Sequence, residues 1–466
     1  MTLPWALTDA RVWGGPESGW SGEAVGFGRD GRIAAVGTLA HVLACLPPGA
    51  TQMSCGHRLV APGFVDGHAH VRASAASRLA VDASDVASAA ELLSRLDKVA
   101  RERPAGSWIS LANIEPRSFA GPLPSRAEVD RAGGDHPVRA RLRSLHGWLL
   151  NSQARRIARI AQTEPDLVPD HTGDVADRLG AAAAPDAIER EVGRWSAELL
   201  GSGVVALTDA GASNGSIDVE QLQGWHRRGV LRQEPATLTA SPVDGSAGVK
   251  VMPVSGIQLG DRIRRGLALA WSSGLPAAVH CADTETLGEL IEAVESIPAG
   301  QRGALRIEHA SLCPDEWLDR VAALRPMIVT HPGFIHDHGE RYLDDPELPF
   351  PDWLYRVGSW LARGCRVAFG SDSPAGPADP LLALRAAVTR QTAKGRMLGP
   401  YERINAWAAL TALTAAPADA SRLHGFGRIA PGGPGMVVVL DGDLAAPEGV
   451  ERISVSTVIA DGEPVR

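Results

Sequence analysis

The sequence predicts an α/β fold: a (β/α)8 TIM barrel carrying a small β-sandwich made by the two ends of the chain. Three observations carry that expectation. Between residues 61 and 424, short apolar runs alternate with longer amphipathic stretches, the order expected of strands and crossover helices in a parallel sheet. Eight such runs stand out, and eight parallel strands close a barrel. Outside that span, residues 1–60 and 425–466 read as short β-like runs punctuated by Gly and Pro.

The first sixty residues contain ARVWGG, EAVGFGRDGRIAAVG and HRLVAPG, and the Asp-Gly pair within GRDGR is a hairpin signal. GMVVVLDGD and ISVSTVIADGEPV repeat that style near the C-terminus, so the two ends are expected to pair as one domain, 1–60 with 425–466. The barrel domain is then expected over 61–424. Its candidate strands are LVAPGFVDGHAHV, VRARLRSLHGW, VVALTDAG, GVKVMPV, PAAVHCA, LRIEHAS, MIVTHPG and RVAFGSDSP. Helices are expected between them, as in AAELLSRLDKVARER, TETLGELIEAVESI and DEWLDRVAALR, where apolar residues recur at helical spacing behind a Ser, Thr or Asp.

Composition narrows the function. A chain of 466 residues, 44% hydrophobic and 21% charged, can bury a large core. Its net charge of -8 argues against phosphate backbones or anionic lipid as partners, because both call for clustered cations. No apolar run approaches the ~18 residues of a membrane span, and the opening residues lack the pattern of a signal peptide, so a cytoplasmic location is expected. The expected partner is a small-molecule substrate, with a homo-oligomer left open. Five cysteines, Cys45, Cys55, Cys281, Cys313 and Cys365, contain no close C-x-x-C pair and read as reduced thiols. Only three of the 46 basic residues are lysines: Lys98, Lys250 and Lys394.

Nearly every candidate strand ends in a polar side chain able to bind metal or move protons: His68 and His70, His146, Asp209, Lys250, His280, His309, His331 and Asp372. In a barrel such ends converge on one face, where active sites sit. His68 and His70, two apart on an extended strand, point the same way and can share an ion. Alone, His-x-His is often chance alternation; its place directly after an apolar run with Pro62 and Gly63 favours metal. His280 and His309 follow apolar runs about one βα unit apart, which adds two ligands. Lys250 lies between valines, where desolvation lowers an amine's pKa and leaves it able to take up CO₂ as a carbamate; a lysine snorkelling at a strand edge is the alternative. Asp372, in the tight turn of GSDSP, can bind the ion and hold a water proton, or act as an Asx turn or helix cap.

These residues resemble the amidohydrolase superfamily. The motifs are PGFVDGHAH, the strand lysine in GVKV, VH, IEHA, GSDSP and GRIAPGGPGMVVVLD, in that order from about Val60 to the C-terminus. The stretch from GPLPSRAEVD through HGWLLNSQA, with TGDVAD and LTDAG, is similar to the branch of N-substituted formamide deformylase-like enzymes. The resemblance implies one or two divalent ions, zinc first among the candidates. His68 and His70 would hold the more buried ion, a carboxylated Lys250 would bridge, and His280 and His309 would hold the second. Asp372 would be ligand and general acid or base, with His146, His331 and Asp283 facing the ligands or the substrate. The implied reaction is attack of metal-bound hydroxide on an amide, formamide or cyclic amide, cleaving a non-peptide C–N bond. The alternatives are a mononuclear deaminase of the same superfamily, with Asp283 shuttling protons, and a catalytically inactive barrel. The chain departs from the branch in its CADTE turn, in GGPGMVVVL and in the short span between TDAG and GVKV.

Overall fold

The computed structural model describes residues 4–144, 147–163, 165–170, 174–179, 185–253, 258–346, 348, 350–444 and 447–465. Its centre is an eight-stranded parallel sheet running in chain order. The strands are β1 (Phe64–Ala69), β2 (Val204–Asp209), β3 (Glu234–Thr239), β4 (Ser246–Val251), β5 (Ala277–Cys281), β6 (Leu305–His309), β7 (Met327–Thr330) and β8 (Arg366–Phe369). Helices follow every strand except β3, which turns directly into β4, and pack on the outer faces, where Val249, Val279, Ile307 and Ile328 join Leu267, Leu290 and Trp360 in the largest core. Burial on both faces is why these strands read as continuous apolar runs.

The barrel is sealed between β8 and β1 by the loop after β8. The Asp372 amide donates to the His68 carbonyl (2.7 Å) and the His70 amide donates to the Ser373 carbonyl (3.0 Å). Gly370 permits this approach, since a Cβ there would lie 2.6 Å from the His68 Cβ.

One expected strand lies elsewhere. VRARLRSLHGW is not a barrel strand. Val138–Leu142 and Gly147–Leu150 belong to a separate five-stranded sheet with Val81–Asp82, Ile109–Ile114 and Leu167–Pro169, inserted between β1 and β2. The strand overlooked in the sequence is β3, EPATLT, whose polar, Pro-containing start hides a buried Ala236 and Leu238. The inserted sheet has its own core of Ile109, Leu111, Val138, Ala140 and Leu142 under helices Ala89–Glu102 and Arg126–Gly133.

The chain ends form two further sheets. Four strands of residues 5–54 make one, and Leu59–Pro62 pairs antiparallel with Val437–Asp441 in the other, Val60 opposite Val439. Between them lie Trp5, Phe27, Val60, Val437 and Ile459, with the Trp5 indole donating to the Gly462 carbonyl at 2.6 Å. All five cysteines are free thiols and four are buried. Among the described residues no helix is long and apolar enough to cross a membrane.

Candidate metal centre

Strand alternation aims the side chains. In β4, Val249 and Val251 face the helices, so Lys250 turns into the barrel. In β5, Val279 faces out and His280 in; in β6, Ile307 faces out while Arg306 and Glu308 face in. By the same rule His309 would point outward with Ile307. Instead its backbone is left-handed (φ +68°), as is Ala310 (φ +46°), and the ring turns inward, 4.8 Å from His68 and 4.4 Å from His280. Asp372 is also left-handed (φ +53°). Such backbone at non-glycine residues costs on the order of 1–3 kcal/mol each and persists where the surroundings over-determine it.

His68 is fully buried and tightly held. Its Nδ1 donates to Glu308 Oε2 at 2.6 Å, which leaves the Nε2 lone pair facing the barrel mouth. Glu308 in turn accepts from Arg306 Nε (2.7 Å) and Nη2 (3.2 Å), and Arg306 is anchored on the carbonyls of Ala420 and Gly67. Burial alone would raise the Glu308 carboxyl; the Arg306 guanidinium and the His68 hydrogen bond hold it well below the usual carboxylate range. Burial, then the charge of Lys250, lowers the His68 imidazole to about 3. His309 is also pushed well below its ordinary value, by burial and by the histidines around it. Both rings are therefore in the neutral form that binds metal.

Asp372 sits at the crossing point. Its Oδ1 lies 3.0 Å from His70 Nε2 and 3.6 Å from His68 Nε2, and its Oδ2 lies 3.8 Å from His309 Nδ1. Burial would raise this carboxyl, yet the His70 hydrogen bond and the imidazoles hold it well below the usual range. Lys250 Nζ is 3.5 Å from His68 Nε2, and burial lowers its amine, the largest effect on that group.

Among the described residues, two groups bring ligand atoms within 4.8 Å of one another: His68, His70 and Asp372, and His68, His309 and His331. His331 Nδ1 donates to the Gly370 carbonyl (2.8 Å), while its buried Nε2 has no hydrogen-bond partner among the described residues. A buried lone pair beside His68 and His309, neutral imidazoles and an ionised carboxylate together fit a divalent cation.

His68, His70, Lys250, His280, His309 and Asp372 all line one cavity of about 510 Å³. His331, expected to face ligands or substrate, lies among the ligand atoms themselves. Asp283 caps helix Thr284–Glu295, accepting from the Thr286 amide at 2.7 Å. His146 falls outside the described residues. Sequence reasoning missed Glu308 and Arg306. The signal was present: two charged residues at alternate positions of the apolar strand LRIEH must face each other inside the barrel.

The chain is similar to known proteins along nearly its whole length. The model of the amidohydrolase family matches residues 54–466. N-substituted formamide deformylase of Arthrobacter pascens is 26% identical over 89% of this chain and 89% of its own. Protein LONG AFTER FAR-RED 3 of Arabidopsis thaliana is 23% identical, over 87% of this chain and 81% of its own. The crystal structure of an uncharacterized metal-dependent hydrolase from Pyrococcus horikoshii superposes with a TM-score of 0.75 at 21% identity, covering 96% of this chain and 99% of that one. The barrel, its cluster of histidines and the match over residues 54–466 together place this chain in the amidohydrolase family of metal-dependent hydrolases.

Proposed function

We propose that this enzyme hydrolyses a non-peptide C–N bond, in an amide, formamide or cyclic amide, using one or two divalent ions held by His68, His70, His280, His309 and Asp372, with zinc the first candidate. The observation that carries the reading is the fixed tautomer of His68, whose Nε2 joins His70 and Asp372 at one point of the barrel mouth. An ion bound there would polarise the substrate carbonyl and lower the pKa of water towards neutrality.

The protein's own groups do the rest. Glu308 keeps His68 in the binding tautomer through the Nδ1 hydrogen bond. Asp372, ionised and within reach of His70, takes the proton from the attacking water at its carboxylate and passes it to the leaving nitrogen. Lys250, whose amine is lowered by burial beside His68, would add to CO₂ through its deprotonated form with loss of one proton, and the carbamate would supply an anionic oxygen where arginine could not. With its carboxylate committed to a helix cap, Asp283 speaks against the mononuclear deaminase reading, which needs it as a proton shuttle.

Two variants separate binding from chemistry. His70→Ala is expected to lose bound metal by elemental analysis. Asp372→Asn is expected to retain most of it while losing at least about 100-fold in kcat on a panel of N-formyl amines, amides and lactams. Near-normal turnover by Asp372→Asn overturns the role given to that residue.

A further inference from the structure

The cavity over the metal centre has a second charged wall, contributed by the inserted sheet. Along Val138–Leu142, Val138, Ala140 and Leu142 face that sheet's own core, so Arg139 and Arg141 emerge on its other face and line the cavity that holds His70 and Asp372. Trp148, directly opposite Arg141 across the strand pair, lies under both guanidiniums: Arg141 Cζ is 4.9 Å and Arg139 Cζ 5.9 Å from its ring centre. Trp108 covers Arg139 at 5.5 Å, and Arg139 Nε donates to Ser110 Oγ at 2.9 Å. The aromatic rings hold these side chains in place without neutralising them.

Among the described residues Arg141 has no ion pair, and its covered Nε has no hydrogen-bond partner. The carboxylates on that side of the cavity are already engaged. Asp170 accepts from the Trp148 indole and the Val175 and Ala176 amides; Asp209 accepts from the Val71 and Gly211 amides and Asn214; Asp218 pairs with Arg72. Burial, then the charge of Arg141, brings the Arg139 guanidinium down to about 10, while burial lowers Arg141 against the charge of Asp170.

We propose that Arg139 and Arg141 form the anchoring site for a carboxylate carried by the substrate, at the end remote from the scissile C–N bond. The inference rests on the hydrolase reading above for what happens at the metal end. A planar guanidinium fork matches a carboxylate in two hydrogen bonds. Asp170 and Asp372 in the same cavity disfavour a dianion such as a phosphomonoester. The same cavity is also lined by Ala73, Ile217, Leu222 and Met252, so the substrate class proposed is an N-acyl or N-formyl amine with an apolar middle and a terminal carboxylate.

The test uses the metal-loaded full chain with 4-phenylbutyrate and its neutral amide, 4-phenylbutyramide, titrated by calorimetry. The acid is expected to bind roughly tenfold tighter or more than the amide. That preference should vanish in Arg141→Met and fall to an intermediate value in Arg141→Lys, which keeps the charge and loses the fork. Equal affinity for acid and amide in the unmodified protein overturns the proposal. So does a preference that survives Arg141→Met, since the metal ions would then be holding the carboxylate. Should Arg141→Met not fold, modification by phenylglyoxal decides on the unmodified protein: 4-phenylbutyrate must shield the Arg139–Arg141 peptide and the amide must not, and absence of shielding overturns the site. None of these readouts needs turnover. A protein that prefers the acid yet hydrolyses no amide keeps the anion site and loses the hydrolase reading; the converse result does the opposite.

Discussion

Glu308 is the residue on which the geometry of the centre turns. Replacing it with Gln keeps the shape of the side chain and removes the charge that holds both His68 Nδ1–H and Arg306. Ligand-orienting carboxylates of this kind are worth about 10–100-fold in metal affinity. Glu308→Gln is therefore expected to weaken the metal by that factor in competition with a chelator. It also strands the buried Arg306 guanidinium, a loss of about 3–5 kcal/mol, visible as a lower denaturation midpoint. At this scale the sequence was informative wherever a strand obeys alternation: Lys250, His280 and the Arg306–Glu308 pair all face as period two requires. His309 and Asp372 were also legible as candidate ligands, but alternation did not give the left-handed backbones that turn them inward, which depend on neighbours from other strands.

Among the elements, the loop after β8 does two things at once. It closes the barrel against β1 and delivers Asp372 to the histidines. Both depend on Gly370, where a Cβ would meet the His68 Cβ at 2.6 Å and its amide nitrogen at 2.7 Å. Gly370→Ala must push the loop off β1, at a cost of about 1–3 kcal/mol for forced overpacking. The expected result is a lower melting temperature together with loss of bound metal, measured on the same preparation; unchanged metal content would show that the seam does not position the site. The inserted sheet shows where reading the elements from sequence stops. VRARL is legible as a half-buried strand, but alternation does not say which sheet a strand joins. Its arginines belong to a surface facing the cavity, whereas β3 carries apolar residues too few and too polar in company to stand out.

At the level of the whole molecule, Val437–Asp441 joins the terminal sheets to the barrel. Val437 and Val439 pack with Trp5, Val60 and Ile459, while Val438 and Leu440 join the core beneath the barrel helices. That two-sided burial is written in the unbroken apolar run GMVVVLD, where a strand with one face in water would alternate. Two cores sharing one strand should unfold together. Val438→Asp and Val439→Asp each place a carboxylate in one of them, at positions almost wholly buried, and an unpaired buried charge costs several kcal/mol in either setting. Both variants are expected to melt in a single calorimetric transition, displaced downward from that of the unmodified protein, with activity disappearing at the same temperature in each. Two separate transitions in Val439→Asp, with turnover surviving the first, would mean that the terminal sheets fold independently and that the barrel holds its metal centre without them.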